Sequence, residues 1–83
     1  MVEQINRVNQ KGNKITIIGL KKSGYAAALL GNQLGATIFV SDLNRDEEII
    51  KNKNSLANKG IDCEIGKHTN RIYDADYWVI SPG

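Results

Sequence analysis

The sequence predicts an α/β fold in which helices cover a parallel sheet. Four short segments are rich in β-branched and aromatic residues, at positions 14–18, 37–41, 62–65 and 77–80. Longer segments with helical character separate the first three of them. Alternation of this kind is typical of parallel strands joined by right-handed crossovers. We therefore expect a Rossmann-like, three-layer α/β/α arrangement with about four strands in the order 3-2-1-4.

Length and composition describe one small domain and exclude several classes of protein. Of the 83 residues, 11 are basic and 9 acidic, and no basic block marks a nucleic-acid surface. Residues 1–13 are polar and asparagine-rich, which predicts a tail or lead-in before a domain at 14–83. The longest apolar run, 25–30, is too short to cross a membrane. The single cysteine permits no intrachain disulfide and fits a reduced, cytoplasmic setting.

The first predicted strand runs directly into a turn bounded by the glycines Gly19 and Gly24. A helix rich in alanine and leucine follows, over residues 23–34. In such βα units, the backbone N–H groups of the turn and of the helix N-terminus point at a bound phosphate. Lys22 and Ser23 lie at the same place and are candidates for contacting it. A plain strand–helix connection, with Ser23 only capping the helix, stays open.

The glycines match part of the dinucleotide-binding pattern. Gly19 and Gly24 occupy its first and third positions, whereas Lys21 occupies the second. Asp42 follows the second strand, where an acid in dinucleotide enzymes holds a ribose hydroxyl, although such an aspartate also makes ordinary turns. The carboxyl ends of parallel strands meet at one edge of the sheet. The glycine turn, Asp42 and residues 81–83 should therefore share that edge.

The second helix is predicted from its ends. Asn44 and Glu47 form a capping box, and Gly60 would close the helix. Acidic residues are concentrated in its first turn and lysines later, which complements the helix dipole. A turn or brief helix is expected over 67–73, before the last strand.

No segment shows catalytic machinery. The stretch 66–69 is similar to the end of a Walker phosphate loop, but Ile61 replaces the required earlier glycine and His68 the required Ser or Thr. We interpret His68 as a hydrogen-bonded structural histidine and Cys63 as a packed thiol. No nucleophile–base pair, paired carboxylates or metal-binding cluster stands out. The sequence thus predicts a binding domain with no catalytic residue and no metal site.

Several motifs together resemble one known family. They are Ile18-Gly19-Leu20-Lys21-Lys22-Ser23-Gly24, Val40-Ser41-Asp42, Gly60-Ile61, Glu64-Ile65-Gly66-Lys67-His68 and Val79-Ile80-Ser81-Pro82-Gly83. From residue 14 to the last residue, they are similar to the N-terminal, UDP-binding domain of UDP-N-acetylmuramoyl-L-alanine:D-glutamate ligases, in the muramyl ligase family. The Gly-Leu-x-x-Ser-Gly turn, the Ser-Asp after the second strand and the terminal Ser-Pro-Gly are the most specific parts.

The resemblance implies a ligand and the residues that bind it. The ligand is UDP-N-acetylmuramoyl-L-alanine, whose UDP part the first domain holds in a cytoplasmic enzyme of peptidoglycan synthesis. By motif position, the binding residues are Lys22 and Ser23 for the diphosphate, Asp42, Leu43 and Asn44 for uracil, and Gly83 for the sugar side. The family usually has glycine at the position of Lys21, so we expect weakened diphosphate binding here.

The resemblance also implies a longer enzyme. Its central domain binds ATP and Mg²⁺, and its last domain receives D-glutamate. The substrate carboxylate is activated as an acyl phosphate, which the amine of D-glutamate attacks. The Gly-x-x-Gly-Lys-Thr/Ser loop that binds ATP is absent from this sequence. We therefore expect a first-domain fragment, or a relative that has lost catalysis, with no cofactor of its own.

Two other functions stay open at this point. One is a non-catalytic regulatory module that binds NAD or a mononucleotide, although Lys21 in place of the second glycine argues against NAD. The other is a purely structural α/β unit without a ligand. The last strand, 77–80, would form a hydrophobic sheet edge with unpaired backbone groups, which predicts self-association of the chain.

Overall fold

The computed structural model describes residues 13–81, in which strands and helices alternate along the chain. In chain order the elements are β1 (Lys14–Ile18), α1 (Lys22–Gln33), β2 (Thr37–Asp42), α2 (Glu47–Ala57), β3 (Asp62–Ile65), a 3-10 helix (Asn70–Tyr73) and β4 (Tyr77–Ile80). The predicted lead-in lies outside the described residues except for Asn13. Gly83, predicted on the sugar side, lies outside them as well.

All strands of the described sheet are parallel and lie in the order β3-β2-β1-β4. Ile17 in the central strand β1 is the register partner of Val40 in β2 and of Val79 in β4. The order 3-2-1-4 predicted from the sequence is confirmed, and the α/β, Rossmann-like fold class with it. Since the chain returns from β3 across the sheet to β4, the switch point lies between β1 and β4.

Both α-helices lie on one face of the sheet. The crossovers β1–β2 and β2–β3 run in the same direction, so a right-handed path places α1 and α2 side by side. The hydroxyl groups of Tyr25 and Ser55 are 2.7 Å apart and join the two helices. Beneath them lies a core of twelve buried apolar side chains: Ile15, Ile17, Leu20, Ala27, Ala28, Ala36, Ile38, Val40, Ile49, Leu56, Ile61 and Val79.

The opposite face carries the 3-10 helix. The guanidinium of Arg71 lies 4.2 Å from the centre of the Phe39 ring, which points away from the buried Ile38 and Val40 because side chains alternate along a strand. The predicted third layer, on the face opposite the α-helices, therefore consists of this short helix within residues 13–81.

The start of α2 differs from the predicted capping box. Asp46 caps the helix, and its Oδ1 accepts the N–H of Ile49 over 3.1 Å. Asn44 instead lies in a turn, where its own N–H donates to Oδ1 of Asp42 over 2.8 Å. The box of Asn44 with Glu47 is therefore wrong, because an aspartate two residues later supplies the acceptor at the helix end.

Strands β3 and β4 form the two edges of the described sheet. Trp78 and Ile80 of β4 are 56% and 63% exposed on the face opposite the α-helices, as the predicted hydrophobic edge requires. Tyr73 packs edge-to-face on Trp78, with ring centres 5.8 Å apart. Among the described helices, none has the length and apolar character needed to cross a membrane.

Candidate functional site

A cavity of about 180 Å³ lies at the carboxyl ends of the strands. It is lined by Ile18, Gly19, Leu20 and Lys21 after β1, Asp42, Leu43 and Asn44 after β2, His68 after β3, and Ser81 after β4. The structure therefore brings together four of the residues predicted from the sequence, namely Gly19, Asp42, Leu43 and Asn44. We call this cavity the rim pocket.

The glycine turn after β1 packs directly against the segment after β4. Gly19 has φ +110°, and a Cβ atom at this position would lie 2.9 Å from Cβ of Ser81. The N–H of Gly19 donates to the carbonyl of Ser41, and the N–H of Ser81 donates to the carbonyl of Ile18. A side chain at position 19 is thus excluded both by backbone conformation and by space.

At position 24, glycine is required by lack of space and not by a positive φ angle. It is buried in the first turn of α1, and a Cβ atom there would lie 1.8 Å from the carbonyl oxygen of Gly19. Gly24 therefore lets the helix N-terminus approach the end of β1. It is not among the residues that line the rim pocket, so its part in the site is to bring the helix close.

Asp42 joins two loops of the rim pocket. It is only 7% exposed, and its Oδ2 accepts the N–H of Leu20 over 2.8 Å, while Oδ1 accepts the N–H of Asn44. From the other side, the Asn52 side chain donates to the carbonyl of Leu20 over 2.8 Å. Each carboxylate oxygen of Asp42 keeps one lone pair. Asp42 thus positions the glycine turn besides facing the pocket.

The N-terminus of α1 has backbone donors without acceptors. The first hydrogen bond of the helix runs from Tyr25 N–H to the carbonyl of Lys21. Lys21 is the N-cap residue, and its side chain accepts no hydrogen bond from the helix. Within residues 13–81, no acceptor is found for the N–H groups of Lys22, Ser23 and Gly24, and no acid lies in the first turn. Such an end favours an anion. The side chains of Lys22 and Ser23 are exposed and do not line the pocket.

Lys21 fits the turn without backbone strain. Its φ is −82°, so the conformation does not require the glycine that the resemblance places here. Its Nζ lies 3.9 Å from Oδ2 of Asp46, and both side chains are about half exposed. This side chain therefore reaches towards the N-terminus of α2. An ion pair with that much exposure contributes little to stability.

A buried carboxylate lies behind the rim pocket. Oε2 of Glu64 accepts the Ser41 hydroxyl over 2.7 Å, and the Thr69 N–H and hydroxyl donate to the same carboxylate over 2.8 and 2.6 Å. Burial by itself raises the pKa of Glu64. The hydrogen bonds from Thr69 and Ser41, together with the charge of Arg71, outweigh burial and hold the pKa below its ordinary value. Glu64 is therefore ionised at neutral pH.

This carboxylate fixes the tautomer of His68. Nδ1 of His68 lies 2.6 Å from the Ser41 hydroxyl oxygen. Because an ionised carboxylate only accepts, the Ser41 proton points at Glu64, and the Ser41 oxygen must accept Nδ1–H of His68. In the neutral ring Nε2 is then left as an acceptor, on a side chain that lines the rim pocket. His68 is structural through one nitrogen, as predicted, whereas its place in the pocket was not predicted.

Two further predictions concern chemistry elsewhere in the domain. Cys63 packs against the core, and burial, followed by the charge of Asp62, raises the pKa of its thiol to about 11. It is therefore a packed thiol with little thiolate at neutral pH. Among residues 13–81, no group of three or more His, Cys, Asp and Glu side chains could hold a metal ion.

Comparison with known sequences identifies the family. The profile of the MurD N-terminal domain matches residues 14–83. The chain belongs to the MurD N-terminal domain family. The resemblance stated from the sequence motifs is thereby confirmed.

Full-length relatives of this MurD N-terminal domain are named as one enzyme. The UDP-N-acetylmuramoylalanine–D-glutamate ligase of Chloroherpeton thalassium is 42% identical over 73 residues, which cover 88% of this chain. Ligases of the same name from Chlorobium phaeobacteroides and Chlorobium limicola are 44% and 47% identical, over 95% and 87% of the chain. The chain spans 15–16% of the length of these relatives.

Proposed function

We propose that this MurD N-terminal domain binds the uridine diphosphate part of UDP-N-acetylmuramoyl-L-alanine in the rim pocket. It would do so as the first domain of an ATP-dependent ligase that adds D-glutamate in cytoplasmic peptidoglycan synthesis. The observation that carries the proposal is the α1 N-terminus, whose unpaired N–H groups lie beside the glycine turn and the pocket. The names of the relatives supply the class of substrate.

The diphosphate is assigned to the start of α1. The N–H groups of Lys22, Ser23 and Gly24 are donors in a place where the helix dipole favours negative charge. Lys22 is exposed at the same helix end and adds a mobile cation. Asp42 supports this site indirectly, because its bond to Leu20 N–H holds the turn in place. The glycine turn, the N-terminus of α1 and the Lys22 side chain thus all favour an anionic group at this place.

Uracil is assigned to the region around Asp42, Leu43 and Asn44. The lone pairs left on the Asp42 carboxylate and Nε2 of neutral His68 are acceptors that need a donor. Uracil offers a ring N–H between two carbonyl groups, whereas the ring nitrogens of adenine are acceptors and its donor is the exocyclic amino group, at a different position. Leu43 is 61% exposed at this pocket and provides apolar surface for a base. The site should therefore prefer uridine over adenosine nucleotides.

ATP, Mg²⁺ and D-glutamate are assigned to the remainder of the longer ligase. The described residues do not fit a metal–triphosphate site, since they contain no suitable cluster of ligands. The role proposed for this domain is to bind and orient the nucleotide end of the substrate. The predicted contact of Gly83 with the sugar stays part of the proposal. By itself, the chain should form no ADP from ATP, UDP-N-acetylmuramoyl-L-alanine and D-glutamate.

Titration with nucleotides, followed in amide NMR spectra, tests the proposal. We expect UDP to shift signals of residues 18–24, 42–44 and 68 with a Kd of about 1 mM, and ADP and NAD to bind more weakly. Lys22→Gln should weaken UDP and ADP equally, with Lys51→Gln on the exposed side of α2 as its matched control. His68→Phe should reduce the preference for UDP. Equal shifts with UDP and ADP would overturn uracil recognition and favour the regulatory-module alternative.

A further inference from the structure

A second groove follows the edge strand β3, away from the rim pocket. Its volume is about 540 Å³, and it is lined by Arg45, Lys53, Cys63, Glu64, Ile65, Gly66, Lys67, Thr69 and Arg71. We call it the β3 groove. In the described sheet, β3 pairs only with β2. Half of the backbone N–H and C=O groups of such an edge strand point away from the sheet.

Cations line the β3 groove on both faces of the sheet. Lys53 comes from α2, which covers one face, and Arg71 lies over Phe39 on the other. Arg45 and Lys67 stand at the carboxyl end of the strand. For Arg45, Lys53 and Lys67, no carboxylate lies within ion-pair distance in the described part of the chain.

Two of these cations are held in place by packing. The stem of Arg45 lies across Gly66, where a Cβ atom would come within 2.5 Å of Cδ of Arg45. Gly66 also has φ +79°, so both space and conformation favour glycine under this arginine. Arg71 is fixed by the Phe39 ring and by an ion pair with Asp62. The cation positions around β3 are therefore partly ordered before any ligand binds.

The carboxylate within the groove can offset at most one of these cations. Glu64 is 7% exposed, and it accepts hydrogen bonds from Ser41 and Thr69 inside the domain. Four cationic side chains and one internally bonded carboxylate line the groove. Arg71 is paired with Asp62, and Arg45, Lys53 and Lys67 leave the surface beside the free edge positive.

We propose that the β3 groove binds an acidic, extended segment of a partner protein by strand addition. The unpaired backbone groups of Asp62–Ile65 would form the ladder, and the cations would select the sequence. Because side chains of a strand alternate between faces, adjacent acids on the partner would reach Lys53 on one face and, on the other, Arg71, which is paired with Asp62 in the free domain. The two sets of lining residues have none in common, and the structure joins them only indirectly, through the bond between Glu64 and Ser41 behind His68.

The positive charge around β3 also disfavours pairing of this edge with a second copy of the chain. Lysines beside an edge strand guard against pairing with another copy of the same edge. Two β3 edges would bring like charges together, whereas an acidic strand meets opposite charges. A nucleic acid or a small polyanion would use the same cations but could not extend the sheet. The test therefore has to separate backbone pairing from charge attraction.

Peptide probes separate these contributions in amide NMR titrations of the 83-residue chain. The first probe is acetyl-Glu-Glu-Val-Val-Glu-Glu-amide. Replacing its glutamates by glutamine removes the charge, and replacing its valines by proline keeps the charge but removes the central N–H donors. We expect the first probe to shift residues 62–65 and protect their amides from exchange. The glutamine and proline peptides should bind at least about fivefold more weakly.

A pair of double variants ties the effect to the groove. Lys53→Gln with Lys67→Gln should weaken the acidic peptide by about fivefold, and added salt should do the same. Lys51→Gln with Lys59→Gln changes the same charge outside the groove and should leave binding unaltered. The proposal is overturned if the proline peptide binds as well as the valine peptide. Stronger binding of tripolyphosphate or a single-stranded oligonucleotide at these residues, or no binding of the first probe, overturns it too.

Discussion

The carbonyl oxygen of Gly19 lies 1.8 Å from the position that a Cβ atom on Gly24 would occupy. The end of β1 and the first turn of α1 are therefore in backbone contact across the glycine turn. This contact sets the distance between the helix N-terminus and the rim pocket. Unlike the end of a flexible side chain, the carbonyl of Gly19 cannot move aside without displacing the turn.

Gly24→Ala should destabilise the domain by about 3 kcal/mol, because the added methyl overlaps backbone atoms. Gly31→Ala is the matched control in the same helix, where a Cβ atom meets only the flexible end of Ile38, at 2.6 Å. The gain in helix propensity of about 1 kcal/mol should offset most of the cost at position 31. Urea unfolding measures both variants. Equal losses would show that the Gly19 contact is not what excludes the methyl group.

Asp42→Asn should destabilise the domain although it preserves shape. The Asp42 carboxylate accepts N–H groups from both Leu20 and Asn44, so the amide of an asparagine would have to face one donor with another. A cost of about 1–3 kcal/mol is expected. Amide exchange should become faster at Leu20 and Asn44, but not at Ile49, whose N–H donates to Asp46. Unchanged exchange at Leu20 would argue against the role of Asp42 in positioning the turn.

The stability of the domain should fall in acid through Glu64. Its folded pKa is lowered, so the unfolded chain binds the proton first as pH decreases. The stabilisation is complete above the ordinary pKa of 4.5 and is lost as pH falls through the lowered value. Urea unfolding across this range should show the free energy of unfolding rising with pH.

Glu64→Gln isolates this contribution. At neutral pH the variant should be less stable by about 1–3 kcal/mol, because Thr69 and Ser41 lose a charged acceptor. Its deficit relative to the unaltered chain should shrink as the pH is lowered. Glu48→Gln, in the exposed first turn of α2, should lose only the interaction of its charge with the helix dipole, about 0.3–1 kcal/mol. A deficit that is constant with pH would contradict the lowered pKa.

Cys63 should react slowly with iodoacetamide. With its pKa raised from 9.0 to about 11, the thiolate fraction at neutral pH falls by about 100-fold. The folded chain should therefore be alkylated about 100-fold more slowly than the same chain in urea. Similar rates in the two states would show that the thiol is neither buried nor perturbed in solution.

Self-association through β4 stays a prediction, and the structure sharpens it. At about 0.1 mM, light scattering should give a mass above that of one chain. Ile80→Lys places a charge on the exposed edge strand and should restore the monomer. Leu34→Lys is the control, since Leu34 is 41% exposed at the end of α1, away from this edge. A monomer in the unaltered chain at that concentration would count against edge pairing.

Much of the fold follows from local patterns in the sequence. Strands β1, β3 and β4 have the predicted bounds, because β-branched runs end at turn residues. The spacing of Gly19 and Gly24 predicts a tight turn between β1 and α1, and the structure has that turn, whereas its contact with a phosphate stays a prediction. The cap of α2 was misplaced because Asn44 and Asp46 are both good caps, and which one is used depends on the bond from Asn44 to Asp42. That bond depends on the conformation of the turn that follows β2.

The inner part of the site was harder to predict because it depends on pairings between distant segments. Ser41 meets Glu64 and His68 only once β2 and β3 are in register. The signal was the place of His68 just beyond the carboxyl end of β3, at the rim already assigned to Asp42. Sequence spacing alone could not show that Nδ1 of His68 bonds to Ser41 while Nε2 has no partner within the described residues.

The rim pocket can be completed only at a late stage of the synthesis of this domain, because it is built from segments far apart in the chain. A ribosome releases the N-terminal part first, so the glycine turn and Asp42 emerge well before His68 and Ser81. The N–H of Ser81, which donates to the carbonyl of Ile18, joins the first strand to the last described residue. Until β4 docks, the pocket lacks one wall. A nascent chain should therefore acquire affinity for its ligand only after residue 81 has emerged, and ligand capture can report when this domain has folded.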